Sequence, residues 1–198
     1  MELQAIRHAQ STAQTGGDDW LDPDLTALGE RQARAAADYF SDKEFDLALI
    51  SPLRRARRTF ELASPKAGHA RFDSRLVECT LDRGPGYDYR EILPYSTPGS
   101  AEADTEDMWT APAGERIASL LQELRGLSLE RVLLVAHNGI LNVLRSHIAG
   151  SPIPGEPGLD DLLRAHQTDN TGVHGFFLGV TPAEDRLLFW NRPASPLT

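Results

Sequence analysis

The sequence predicts an α/β fold, a three-layer α/β/α sandwich on a mostly parallel central sheet. Three observations predict it. Short apolar runs of strand type alternate with segments whose apolar residues recur at helical spacing, the pattern of parallel strands joined by crossover helices. Three of these runs end in polar residues that lead into a helix, at Arg7 and His8, at Ser51 and Pro52, and at His137. The helical segments are rich in Ala, Leu, Arg and Glu, which are strong helix formers.

Residues 3–6 form the first strand and deliver Arg7 and His8 at its C-terminal end, ahead of the polar segment 9–24. Thr26 is placed to cap a first helix over LTALGERQARAAADYF. FDLALI at 45–50 reads as a buried strand, and Pro52 suits the first position of the helix after it. That helix carries Arg54, Arg55, Arg57 and Arg58. A further helix is expected over 112–127, followed by the most strand-like segment of the chain, RVLLVA at 131–136. An apolar helix over 140–148 comes straight after His137, and two late strands are expected at 172–180 and 186–190. From about 82 to 110 the chain is rich in Gly, Pro, Ser and acidic residues without a clear period, which predicts an irregular, lid-like excursion from a single domain spanning 1–198.

Composition narrows the function. A formal charge of −9 opposes binding to nucleic acid or to an anionic membrane, since both would repel the molecule as a whole. A small anionic substrate stays compatible with that charge if cations gather locally. Cys79 is the only cysteine, so no internal disulfide forms, in keeping with a reducing compartment. With no basic segment leading into an apolar stretch at the start and no run of 18 apolar residues, a cytoplasmic location is the expectation. A homodimer is neither required nor excluded by the sequence.

In a parallel sheet, strand-to-helix junctions lie together along one edge. Arg7, His8, Arg55 and His137 should therefore converge. Neutral imidazole is a competent nucleophile toward phosphorus, and guanidinium forks match phosphoryl oxygens bidentately. The set suits a dianionic phosphate.

These residues sit in motifs that resemble one family over most of the chain. Arg7, His8, Ala9, Gln10, Ser11, Thr12, Ala13 and Gln14 are similar to an Arg-His-Gly motif that ends in Asn. Leu25, Thr26, Gly29, Gln32 and Ala33 match a second motif. Ser51, Pro52, Leu53, Arg55, Ala56 and Thr59 match a third. Leu76, Val77 and Glu78, the pair Gly114 and Glu115, and the run Ala136, His137, Asn138 and Gly139 follow in the same order. The chain resembles the histidine phosphatase superfamily, also called the phosphoglycerate mutase-like family.

The resemblance implies a metal-independent, cofactor-free phosphatase that hydrolyses small phosphate monoesters through a phosphohistidine on His8. Arg7, Arg55 and His137 would hold the phosphoryl oxygens, and Glu78 would serve as general acid, with Asp82 as the fallback. Ser11 and Gln14 would donate to phosphate, Asn138 would line the same pocket, and backbone amides after His137 would add to it. Two positions depart from the first motif. Ala9 stands where the family has Gly, which strains the turn by roughly 1 kcal/mol if that residue needs a positive φ. Gln14 stands where it has Asn, with an amide one methylene further out.

Two other readings compete. A phosphoglycerate mutase would share the first half-reaction, but only 59 positions separate Glu78 from His137, short for the mutases' insert. A catalytically silent member would bind a phosphorylated ligand, and its support is Ala9, Gln14 and the altered segment after Glu78. Phosphoproteins are a third substrate class, disfavoured by the acidic surface. Arg54, Arg57 and Arg58 read as solvated helix charges. His69, His147, His166 and His174 carry no motif, Cys79 reads as a small buried side chain, and Trp20, Tyr87, Tyr89 and Trp109 are candidate pocket walls.

Overall fold

A computed structural model describes residues 1–17, 19, 22–78, 112–150, 167–194 and 196. The excursion expected over 82–110 lies outside the described residues, as do Trp20, Cys79, Asp82, Tyr87, Tyr89, Trp109 and His166.

Six strands form one sheet: β1 (Glu2–Arg7), β2 (Glu44–Ile50), β3 (Lys66–Phe72), β4 (Arg131–Ala136), β5 (Gly172–Phe177) and β6 (Arg186–Pro193). Their spatial order is β3-β2-β4-β1-β5-β6. The first four in that order run parallel, and β5 and β6 pair antiparallel, so the sheet is mixed with a parallel centre. Four α-helices are described: α1 (Ala27–Phe40), α2 (Arg54–Ala63), α3 (Ala113–Gly126) and α4 (Asn138–Ala149).

The alternation of the central strands produces the three layers. On β4, Val132, Leu134 and Ala136 pack with Ile117, Leu120 and Leu124 of α3 and with Ile140 and Leu144 of α4. The intervening Leu133 and Val135 face the other way, toward Ala36 and Phe40 of α1 and Ala56 and Ala63 of α2. Helical period selects the buried faces. In α2 it places Arg55, Ala56, Thr59 and Ala63 inward, so one of four neighbouring arginines is withdrawn from solvent.

Two local expectations are corrected. Pro52 does not open α2, which starts at Arg54 with Leu53 as its N-cap. The reason is an acid from elsewhere: Asp22 Oδ1 accepts from Arg54 N at 2.6 Å and satisfies the first free amide. The strand β3 was not evident in the sequence, because KAGHARF is largely exposed and, among the described residues, forms an edge that pairs only with β2.

Candidate active site

Strand register brings the site together. Arg7 lies opposite Ala136 across β1 and β4, so His8 and His137 leave adjacent strand ends. Ile50 lies opposite Val135, which carries Ser51 to the same edge. Both histidines are buried, their ring centroids are 5.1 Å apart, and the planes are inclined by 56°.

His8 is held by its own loop. Its backbone N donates to Ala136 O at 3.0 Å. Its ring Nδ1 lies 2.7 Å from Ala9 O, an atom that only accepts, so Nδ1 carries the proton and Nε2 keeps its lone pair. Burial, and after it the charges of Arg55 and Arg7, push the His8 pKa well below 6.5. The imidazole is therefore neutral and nucleophilic at neutral pH.

The second motif explains why this loop is rigid. Gln10 N donates to Gln32 Oε1 at 3.0 Å, and Gln10 O accepts from Thr26 N at 3.0 Å. Thr26 caps α1, as expected, by accepting from Gly29 N at 2.9 Å. A Cβ on Gly29 would lie 2.0 Å from Gln10 O, so glycine is what lets α1 approach the loop. Ala9 is not among the residues with positive φ, and its Cβ packs with Leu25 and Ala33; the conditional strain does not arise.

His137 is fixed from β2. Ser51 Oγ accepts from Leu53 N at 3.4 Å and lies 2.7 Å from His137 Nε2, so its hydroxyl hydrogen is available to donate to the ring, which places the ring proton on Nδ1 in that arrangement. Burial and the charge of Arg55 lower the His137 pKa well below 6.5 as well. Arg55 is 8% exposed and is tied to the nucleophile loop through Thr59, whose Oγ1 donates to Arg55 O at 2.7 Å and accepts from Ala9 N at 3.0 Å.

Arg7 is clamped by the segment before β5. Its guanidinium donates to Thr168 O, and its carbonyl accepts from Thr171 N at 3.2 Å. Burial lowers its pKa while Glu78 and Asp169 pull it back up, which brings the Glu78 charge within reach of this cation. Among the described residues Arg7 Nε and His137 Nδ1 are buried without a hydrogen-bond partner. Both are donors that phosphoryl oxygens would satisfy.

The remaining candidates are engaged in ways the sequence does not show. Glu78 does not pair with Arg75, which is taken by Asp73 and Glu123. Its carboxylate instead accepts from Gly139 N at 3.3 Å and Ile140 N at 3.2 Å, the amides expected to meet phosphate. Ser11 is buried, and its N donates to Gln14 Oε1 at 2.9 Å. Gln14 Nε2 donates to Asn170 Oδ1 at 3.2 Å, so this amide binds the protein's own rim. Asn138 Oδ1 accepts from Thr168 N at 3.0 Å and Thr168 Oγ1 at 3.2 Å. Sequence reasoning assigned no separate role to Ser51, Thr59, Thr168 or Asn170. Of these, Ser51 and Thr59 carried a signal, as members of the third motif.

Elsewhere, Arg58 pairs with Glu30 and Glu61, Arg54 with Asp19 and Asp22, and the Arg57 guanidinium lies over the Phe72 ring. His69 is exposed, His147 Nδ1 lies 3.1 Å from Val143 O, and His174 is fully buried. No described helix is long and apolar enough to cross a membrane.

Comparison with known proteins follows the same lines. The sequence profile of the histidine phosphatase superfamily (branch 1) matches residues 3–174. A glucosyl-3-phosphoglycerate phosphatase of Mycolicibacterium vanbaalenii is 31% identical over 217 aligned positions, covering 97% of this chain and 95% of that one. The structure of a mycobacterial glucosyl-3-phosphoglycerate phosphatase in complex with inorganic phosphate superposes with a TM-score of 0.67 at 26% identity, over 98% of each chain. A mutant phosphoserine phosphatase from Entamoeba histolytica, solved with phosphoserine, shares the fold with a TM-score of 0.66 at 20% identity, over 97% of each chain.

Proposed function

Because the chain belongs to the histidine phosphatase superfamily, we propose that it hydrolyses phosphate monoesters by way of a phosphohistidine on His8. The observation that carries this reading is a buried, neutral imidazole with a free Nε2 lone pair beside a second histidine, in the field of two arginines.

In the first half-reaction the Nε2 lone pair of His8 forms the N–P bond while the ester P–O bond breaks. The leaving oxygen takes the proton of the Glu78 carboxyl and departs as the alcohol. Arg7, Arg55 and His137 Nδ1–H compensate the charge on the other phosphoryl oxygens. In the second, water attacks phosphorus, Glu78 takes its proton, and the N–P electron pair returns to Nε2 as inorganic phosphate forms. Every proton and electron pair in this cycle is handled by side chains of this chain.

Small phosphorylated metabolites, such as a sugar phosphate or a phosphoglycerate-like acid, are the substrate class we favour. Similarity to glucosyl-3-phosphoglycerate phosphatases over nearly the whole chain supports it. The test is phosphate release from p-nitrophenyl phosphate and a metabolite panel in EDTA, comparing the wild type with His8→Ala. Activity that survives EDTA and disappears in the variant is expected, together with an acid-labile phosphoenzyme in the wild type. A fully active His8→Ala protein would overturn the proposal, and turnover only in the presence of a bisphosphate primer would move the assignment to a mutase.

A further inference from the structure

We infer that Arg116 is a positioning residue for Glu78, acting through the backbone turn that presents the carboxyl. The inference rests on the reading of Glu78 as the acid and base of the reaction.

Arg116 lies in the first turn of α3, on its buried face beside Ile117, and is 4% exposed. Burying a guanidinium is costly unless its donors are used. One terminal nitrogen of Arg116 donates to three carbonyls: Val77 O at 2.8 Å, Arg75 O at 3.2 Å and Ser74 O at 3.4 Å. These belong to the 3-10 turn Ser74–Leu76 and to the residue directly before Glu78. The peptide that Arg116 holds most closely is therefore the one that leads into Glu78.

The same turn is gripped a second time by α3. Arg75 is bidentate to Asp73, with Nε at 2.9 Å from Oδ1 and a terminal nitrogen at 2.6 Å from Oδ2, and it reaches Glu123 of α3 at 2.6 Å. The Asp73 to Glu123 network anchors the start of the turn, and Arg116 anchors its end. From there the Glu78 carboxylate spans to the first amides of α4, one turn from His137. Arg116 is also among the cations that depress the His137 pKa, which agrees with its closeness to the site.

Arginine suits this task because it stays protonated at every working pH. Glu78 must gain and lose a proton in each cycle, whereas a guanidinium bound to carbonyls keeps its geometry throughout. A neutral side chain of the same length would take this donor from the Val77 and Arg75 carbonyls, while the Ser74 carbonyl keeps Val77 N at 3.1 Å, and would leave the terminal peptide free to shift. Misplacement of an acid by about 1 Å costs on the order of a hundredfold in rate.

The experiment compares kcat/KM on p-nitrophenyl phosphate, whose leaving group needs little protonation, with kcat/KM on an alkyl phosphate. Wild type, Arg116→Met, Arg116→Lys, Glu78→Gln and the Arg116→Met/Glu78→Gln double variant are measured, with thermal melts alongside. Arg116→Met is expected to lose on the order of tenfold more on the alkyl ester than on the aryl ester, with KM little changed. The double variant should lose no more than Glu78→Gln alone. Arg116→Lys, which keeps the charge but not the fork, should show the same selectivity in weaker form and serves if the methionine variant does not fold. Equal losses on both esters for Arg116→Met, where Glu78→Gln is itself ester-selective, or additive losses in the double variant, would overturn the inference. A Glu78→Gln enzyme without ester selectivity would overturn the acid assignment itself, and this inference with it.

Discussion

His137 Nε2 and Ser51 Oγ lie 2.7 Å apart, although 86 residues separate them in the chain. The pairing of Ile50 with Val135 puts the two at neighbouring strand ends, and both residues are fully buried. The serine orients the ring, and a hydroxyl hydrogen given to Nε2 leaves the ring proton on Nδ1. Ser51→Ala leaves a buried ring nitrogen without its partner, at a cost of about 1–3 kcal/mol. A drop in kcat/KM of roughly tenfold or more is expected, with the fold intact by circular dichroism. Unchanged kinetics would show that packing alone orients His137.

Acid tolerance should be a property of the site. His8 and His137 both have pKa values well below 6.5, chiefly because burial opposes their charged forms. The nucleophile works only when neutral, so the acidic limb of kcat/KM, corrected for ionisation of the substrate, should lie below the usual imidazole range near 6.5. A limb at or above that range would mean that His8 is solvated in the working enzyme.

Stability should depend on pH through a third histidine. His174 is held down to about 3, first by burial and then by the charge of Arg7. In the unfolded chain the same group titrates near 6.5. Between these values the unfolded chain binds a proton that the folded chain does not, so the contribution is complete above about pH 6.5 and is lost as pH falls toward 3. Urea midpoints should therefore decline on acidification, and His174→Phe should flatten the decline. A slope identical in the variant would assign the effect to other groups.

Gly29→Ala opposes two effects. Alanine favours a helix interior over glycine by about 1 kcal/mol. Here the added Cβ would sit 2.0 Å from the Gln10 carbonyl oxygen, so α1 or the nucleophile loop has to move. Steric strain of about 1–3 kcal/mol should win, lowering the melting temperature and kcat together. A stabilised, fully active variant would show that the loop yields freely.

Asn138→Ala tests the clamp on Arg7. Asn138 Oδ1 holds Thr168, and Thr168 O holds the Arg7 guanidinium. Losing the anchor should weaken inhibition by inorganic phosphate by about five- to thirtyfold, as expected for one or two hydrogen bonds of about 1 kcal/mol. Asn138→Asp keeps the acceptor and should preserve the position of Thr168, which a crystal structure would reveal. Phosphate affinity unchanged in Asn138→Ala would separate the rim from Arg7.

The central parallel strands could be read from the sequence because they are buried on both faces. RVLLVA and FDLALI are apolar almost throughout, and the observed β4 coincides with the expected span while β2 extends it by one residue. Arg7, His8, Ser51 and His137 were legible as strand-end residues for the same reason. The edge strand β3 was not, since an exposed strand has no apolar pattern and is defined only by its hydrogen bonds to β2. Arg55 was singled out from its three neighbours by motif, and the helical period of α2 supplies the physical ground for that choice.

What the sequence by itself determined, then, is the order of the buried strands and the helices, the α/β class and the identity of the residues at the strand ends. These follow from local periodicity and from short motifs, which involve residues a few positions apart. The tertiary structure alone decided the partners of the polar side chains: Gln14 with Asn170, Asn138 with Thr168, Glu78 with the amides of α4, and Arg116 with the turn before Glu78. Each of these bonds joins groups at least 30 residues apart. Such a bond forms only when strand register and helix docking bring donor and acceptor to about 3 Å, and no local pattern encodes that distance.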